Sequence, residues 1–422
     1  MGSIPVGAEK QSRRVAILYP YLAHYREAVF NALCGSAARH RYEIFSDRQS
    51  NIPSIATIPP ERSRYFDAAG RLNWRFVRNC WPFEEVLWQS AALRIALSPA
   101  FDSVILLGNV KYISTWVAAI LARITGKRVL MWTHGILRRE RGMRGHIRKA
   151  FYRLAHGLLL YGVRARDLLA DQDFDLNRLY VIYNSLDTAA QLRALEALDD
   201  GACAAARRSY GIPANVPLLI AIGRLVPGKD LQLLPKALQI LRTQGLEAHL
   251  LFIGDGPVRQ ALENLASDLG IQRNVHFAGP VYAEPELCPL IAAADLCVSP
   301  GSVGLTAMHA LIYGTPVITH DDFDQQKPEF EAIQAGLTGA FFRRGDPVDL
   351  AETVRSWLSM NGDRQAVATR CRERVLQYYT PDNQRELIDS AVDGIPASTI
   401  VPRARPLTRQ CSVGDATAPL AL

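Results

Sequence analysis

Apolar and polar positions alternate along the chain between short unbroken apolar runs and longer stretches with a helical period. In the first half the runs Arg14-Val15-Ala16-Ile17-Leu18-Tyr19, Tyr42 to Phe45, Val104 to Leu107, Val129 to Trp132 and Leu158 to Tyr161 predict buried strands, with helical stretches between them. The second half repeats the pattern with Pro217 to Ile222, His249 to Ile253, Val275 to Ala278, Asp295 to Val298 and Pro316 to Thr319. Leu231, Leu234, Leu238 and Leu241 recur at helical spacing after the first of these, and Gly304 to Tyr313 reads as a helix before the last. Strand and helix alternating in this way predict parallel sheets covered by helices on both faces, an α/β protein.

Turn residues collect at the carboxyl ends of the predicted strands, where open α/β sheets bind ligands. Gly223-Arg224-Leu225-Val226-Pro227-Gly228-Lys229, Gly254-Asp255-Gly256-Pro257, Gly279-Pro280-Val281 and Ser299-Pro300-Gly301-Ser302-Val303-Gly304-Leu305 all stand there. Cations at a helix start oppose the helix dipole, so Arg224 and Lys229 read better as phosphate ligands than as surface charges. The Gly301 to Leu305 turn leads into a helix whose free amides and dipole favour an anion such as a diphosphate.

The order and spacing of these motifs across about 215 to 345, together with Gly314-Thr315-Pro316-Val317 and Leu337-Thr338-Gly339, resemble the retaining family 4 glycosyltransferases of the GT-B fold. Thr133-His134-Gly135 and the segment Val181 to Asp187 extend the likeness more loosely into the first half. The resemblance implies two Rossmann-like domains facing each other across a cleft, and a nucleotide-sugar donor held by Gly223, Arg224, Lys229, Gly254, Gly256, Val281 and the turn Gly301, Ser302, Val303, Gly304, Leu305. It places His134 beside the transferred sugar, orienting it and supporting charge, so that His134, Arg224 and Lys229 form the catalytic set, and it leaves Asn184 for the acceptor side.

The family's pair of glutamates, with seven residues between them, falls here on Gly301 and His309. His309 can exchange a hydrogen bond with a ribose hydroxyl, whereas Gly301 offers only backbone. Glu331 aligns with the glutamate of the family's Pro-Glu pair. Glu329 and Glu331 either contact donor hydroxyls or stand as exposed helix charges. Asp321-Asp322-Phe323-Asp324 has the look of a metal-binding carboxylate motif. Its place after the nucleotide helix, with Arg224 and Lys229 already available to the diphosphate, argues against a metal, so neither metal nor other cofactor is expected.

A length of 422 residues suits two domains. We expect a flexible leader at 1–12, an acceptor-side domain at 13–186, a linker at 187–214, a nucleotide-sugar domain at 215–380, a crossover helix at 381–395 and a disordered tail at 396–422. Seven cysteines without a CxxC pair speak against a disulfide framework or zinc knuckle, and no signal-like apolar core follows Met1, so a cytoplasmic protein is expected. The net charge of +7 permits nucleic-acid or membrane contact. Its strongest concentration is Arg138, Arg139, Arg141, Arg144, Arg148, Lys149 and Arg153, with Ile147, Phe151 and Leu154 as an apolar stripe. That combination suits the anionic inner leaflet or a pyrophosphate-linked lipid acceptor, and RNA-binding signatures are not evident. The expected function is sugar transfer from a nucleotide sugar to a saccharide or lipid-linked saccharide in cell-surface polysaccharide assembly by a peripheral membrane protein. The alternatives are a nucleotide-sugar epimerase of the same fold and an inactive binding or scaffolding relative.

Overall fold

The computed structural model describes residues 11–52, 55–140 and 142–400, which leaves Arg141, most of the expected leader and the tail from 401 onward outside the described residues. The chain forms two compact units, one from the start to Ala189 together with Leu376–Arg403, the other mainly Ala190–Val375.

In the first unit the strands are β1 (Arg14–Tyr21), β2 (Arg41–Asp47), β3 (Trp74–Phe76), a hairpin of β4 (Cys80–Phe83) and β5 (Val86–Trp88), then β6 (Ser103–Leu107), β7 (Arg128–Thr133), β8 (Gly157–Leu160) and β9 (Leu179–Val181). Seven of them form a sheet in the order β3-β2-β1-β6-β7-β8-β9, with the hairpin apart. The pairings along this sheet are parallel. Strand β1 shows why both faces are buried. Val15, Ile17 and Tyr19 point into one core with Val29, Phe30 and Leu33 of helix α1 (Glu27–Cys34), while Ala16 and Leu18 point into a second. The second core is closed by α2 (Ser90–Leu97), α3 (Ile113–Ile124) and α4 (Met143–Arg153), through residues such as Ala92, Ala119 and Phe151. Helix α5 (Val163–Ala170) follows β8.

The stretch expected to be a linker holds two helices, α6 (Thr188–Glu196) and α7 (Ala202–Ser209). Its alanines are strong helix formers, and Arg207 ties α7 down by donating to the Ala293 carbonyl at 2.8 Å and to Asp295 at 3.4 Å.

The second unit contains β10 (Leu218–Ile222), α8 (Leu233–Thr243), β11 (His249–Ile253), α9 (Arg259–Asp268), β12 (Val275–Gly279), α10 (Glu284–Ala292), β13 (Leu296–Ser299), α11 (Thr306–Ile312), β14 (Val317–His320), β15 (Gly339–Phe342), α12 (Pro347–Met360) and most of α13 (Arg364–Tyr378). Its six strands lie in the order β12-β11-β10-β13-β14-β15. The chain then enters α14 (Pro381–Asp393), which packs Ile388, Ala391 and Val392 into the first core of the first unit. There the buried Asp389 accepts from the Tyr42 hydroxyl at 2.7 Å and pairs with Arg385 at 3.3 Å.

Both strand orders reverse direction once. The reversal lies between β1 and β6 in the first unit and between β10 and β13 in the second. At such a point the loops leaving the two central strands diverge and open a crevice at the carboxyl ends.

Candidate functional site

The loop after β10 carries Gly223 to Asp230, and the turn after β13 carries Pro300 to Leu305, so the expected donor residues flank the crevice of the second unit. Backbone bonds zip the first of these loops to the loop after β11. Gly223 N–H donates to the Ile253 carbonyl at 2.9 Å, and Leu225 N–H to that of Asp255 at 2.9 Å. A β-carbon on Gly254 would lie 2.1 Å from the Gly223 carbonyl oxygen, and one on Gly256 would lie 2.3 Å from that of Leu225, so side chains at these two positions would part the loops.

Held this way, Arg224 is exposed and Lys229 half-buried, and neither has a hydrogen-bond or ion-pair partner among the described residues. Burial first, and then the neighbouring Arg224 guanidinium, lower the Lys229 ammonium below its ordinary value. Two uncommitted cations that repel one another favour an anion between them.

The turn at 300–305 leaves no room for a side chain at Gly301. A β-carbon on Gly301 would meet the Lys229 backbone, 2.8 Å from its Cα and carbonyl oxygen, so the loop that presents Lys229 occupies the space a side chain would need. The turn is buttressed from below by Gln326, which is 1% exposed. Its side-chain oxygen accepts from Val303 N–H at 2.8 Å, and its nitrogen donates to Thr319 Oγ1 at 2.8 Å and to the His320 carbonyl at 3.0 Å. Val303 is therefore a structural member of the turn, its amide already used. Ser302, Gly304 and Leu305 keep amides with no hydrogen bond among the described residues.

His309 lies on α11. Its Nε2 is 3.0 Å from Glu284 Oε1, while the Tyr313 hydroxyl donates to Glu284 Oε2 at 2.5 Å. Since a carboxylate only accepts, Nε2 carries the hydrogen and Nδ1 is the acceptor of the neutral ring. Burial pushes the Glu284 carboxyl up, and the bonds from His309 and Tyr313 outweigh it and hold it below its ordinary value; burial and Glu284 together raise the Tyr313 hydroxyl, keeping it a donor. A carboxylate thus reaches the His309 ring from another helix. Sequence reasoning missed Glu284 and Gln326. The only signal for Glu284 is an acid in the first turn of α10.

Val281 is half-buried in the loop between β12 and α10. Glu329 and Glu331 are both buried, at 7% exposure, so neither is the exposed helix charge that the sequence allowed. Asp321 accepts from Arg344 N–H at 3.3 Å and Asp322 pairs with the Arg344 guanidinium at 2.9 Å.

In the first unit His134 follows β7, exposed, with its ring edge-on to Tyr161 at 4.8 Å. It lines a cavity of about 340 Å³ at the strand reversal, with Tyr19, Arg26, Asn109, Tyr112 and Trp132. Asn184 lies elsewhere; it is buried, and its side-chain oxygen accepts from Ser185 N–H at 3.1 Å.

The basic run is only partly available. Arg148 folds inward in a two-pronged pair with Glu140, at 2.7 and 3.0 Å, and Arg139 pairs with Asp171 at 2.7 Å. Phe151 is fully buried and Leu154 packs against the same core, so the expected apolar stripe belongs largely to the interior. Exposed instead are Arg138, Arg144 and Arg153, with Met143 79% and Ile147 47% exposed. Lys149 is half-buried. No helix among the described residues is long and apolar enough to cross a membrane.

Comparison with known proteins places this architecture. The fold is α/β of the GT-B class: HepE from Anabaena, solved in complex with UDP, matches with a TM-score of 0.66 over 90% of this chain and 99% of that one, at 16% identity. A glycosyltransferase from Rickettsia africae matches at 0.68 and 14% identity, over 90% of this chain and 98% of its own. Residues 204–374 match the family described as "Glycosyl transferases group 1". Among curated proteins, the D-inositol 3-phosphate glycosyltransferase of Corynebacterium urealyticum is 30% identical over 195 residues, 44% of this chain and 45% of that protein. The lipopolysaccharide core biosynthesis glycosyltransferase LpsE of Rhizobium meliloti is 28% identical over 188 residues, 44% of this chain and 51% of its own. The match thus spans about half the length of these relatives.

Proposed function

We propose that the protein is a retaining glycosyltransferase that moves a sugar from a nucleotide-sugar donor to a saccharide or lipid-linked saccharide acceptor in cell-surface polysaccharide assembly. The observation that carries this reading is the uncommitted pair Arg224 and Lys229 beside the free amides of Ser302, Gly304 and Leu305, within the segment that matches the glycosyltransferase family. As the sugar leaves its nucleotide, charge grows on the departing diphosphate, and fixed cations already in place stabilise it without reorganisation. In that scheme no metal is needed. His309, its Nε2–H held by Glu284, presents Nδ1 to a ribose hydroxyl. In the first unit we assign His134 to sugar contact. The place of the relative LpsE in lipopolysaccharide core biosynthesis supports the acceptor class.

We assign the protein to the anionic inner face of a membrane as a peripheral protein. The cations Arg138, Arg144 and Arg153 stand beside the exposed Met143 and Ile147, and the neighbouring α3 exposes Ile113, Ile120 and Ile124. Exposed apolar side chains and cations on these helices suit binding to anionic lipid.

The test is incubation with a panel of labelled nucleotide sugars and a bacterial lipid extract. The proposal expects label in a lipid or saccharide product, with the anomeric configuration of the donor kept. Conversion of the donor sugar without any acceptor would instead establish epimerisation, and no turnover of any donor would establish an inactive relative.

A further inference from the structure

The cavity at the strand reversal of the first unit is built around a cation that the sugar-transfer scheme leaves unused. Arg26 is 7% exposed, and its guanidinium carbon lies 5.1 Å from the ring centre of Tyr161, 5.5 Å from that of Trp132 and 5.8 Å from that of Tyr19. Nη2 donates to the Tyr161 hydroxyl at 2.5 Å. Nη1 is buried and has no hydrogen-bond partner among the described residues, and the same is true of Trp132 Nε1. Arg26 has no carboxylate counter-ion among the described residues either, because the adjacent Glu27 is turned to Arg62 at 2.9 Å. Arg26 also caps the N-terminus of α1, where the helix dipole opposes a cation.

Burying an ionised group without a paired charge is costly, and leaving a buried donor unmade adds to the cost. The aromatic cage offsets part of it. Arg26 and Trp132 both line the cavity, together with Asn109 and Tyr112, so the uncompensated cation borders a space of polar and aromatic character.

We propose that this cavity binds an anionic group of the acceptor, a phosphate or a carboxylate, with Arg26 as its charged ligand. The proposal rests on the glycosyltransferase reading for the word acceptor, while the anion site itself stands on the geometry of the first unit. A phosphate would pair with the Arg26 guanidinium and take hydrogen bonds from the polar groups around it, and the same groups would serve the carboxylate of an acidic sugar.

The experiment uses the full chain carrying Arg224→Ala and Lys229→Ala, which removes the two uncommitted cations of the loop after β10. Its melting temperature is followed against inorganic pyrophosphate, glucuronate and the neutral methyl glucoside, all at matched ionic strength. The proposal expects pyrophosphate or glucuronate, but not the glucoside, to raise the melting temperature by mass action. The arm that responds identifies the anion as phosphate or carboxylate. Adding Arg26→Gln should weaken the apparent affinity about tenfold or more, as loss of one charge-assisted hydrogen bond implies. Arg26→Lys, which keeps the charge but not the planar fork, should fall between the two and serves as the comparison should the glutamine variant not fold. Absence of a response to either anion would overturn the proposal, as would equal responses with and without the Arg26 substitution. Failure of the wild-type chain to bind any nucleotide sugar would sink the functional reading and leave this test standing.

Discussion

Replacing Gly301 by alanine isolates the contact between the nucleotide-side turn and the loop that presents Lys229. The added methyl would sit 2.8 Å from Lys229 Cα, 2.8 Å from its carbonyl oxygen and 2.9 Å from its carbonyl carbon. All three are backbone atoms, so no side-chain rotation relieves the clash and the loop itself must move. Forcing one extra carbon into a packed site costs typically about 1–3 kcal/mol. In a unit of this size that corresponds to a fall in melting temperature of roughly 2–12 °C. The displaced loop carries Lys229, whose neighbour Gly223 is bonded to β11, so nucleotide affinity should fall together with stability. The assay is a melting curve with and without UDP, the nucleotide bound in the HepE structure, for wild type and Gly301→Ala. A variant that melts as wild type does, and gains the same stabilisation from UDP, would refute the close packing of Gly301 against the Lys229 loop.

Lys229→Ala or Arg224→Ala should reduce turnover by about two orders of magnitude with the fold intact, since each removes a cation that strengthens its contact as the leaving group forms; circular dichroism and initial rates on the same preparation decide it. Glu284→Gln should be less stable than wild type at neutral pH, and that difference should vanish as the pH falls below the ordinary carboxylate value of 4.5, because a depressed carboxyl stabilises the fold only while ionised. His156 behaves in the opposite chemical sense: burial first, then Arg123, Arg128 and Arg178, lower it from 6.5 to about 4, so the folded chain refuses a proton that the unfolded chain accepts. Stability should therefore decline as pH falls from 6.5 towards 4, and His156→Asn, which keeps an acceptor for the Val129 amide, should flatten denaturant-derived stability across that window. Replacing Arg138, Arg144 and Arg153 together by glutamine should weaken sedimentation with anionic vesicles about a hundredfold, at about 1 kcal/mol per cation, while neutral vesicles bind neither form.

The α/β alternation and the glycine-rich loops of the second unit are legible in the sequence because they rest on local signals. The apolar run His249–Ile253 is closed on its carboxyl side by Gly254-Asp255-Gly256-Pro257, and the observed strand ends there. The short strands are less visible. Trp74–Phe76 and Leu179–Val181 hold three residues each, too few for a period, and Gly339–Phe342 opens on a glycine. The basic run shows the limit of a charge count, since the sequence does not reveal that Arg148 is spent on Glu140 or that Phe151 faces the core. Glu284 and Gln326 are invisible for a related reason. Each acts on a partner more than twenty positions away, 25 residues to His309 and 23 to Val303, and only the fold brings them together. Arg26 is the extreme case, an ordinary arginine in sequence and a caged cation in the structure.

The central claim is that the second unit holds a nucleoside diphosphate on Arg224 and Lys229. It is tested most directly by screening nucleotide sugars and free nucleoside diphosphates for thermal stabilisation of the wild type and of the Arg224→Ala, Lys229→Ala double variant. A ligand present at a hundred times its dissociation constant contributes about 2.7 kcal/mol. The account predicts that at least one diphosphate-containing ligand raises the melting temperature of the wild type by several degrees, that its monophosphate counterpart does so less, and that the double variant loses the response. Equal stabilisation of wild type and double variant, or no response of the wild type to any member of the panel, would contradict it.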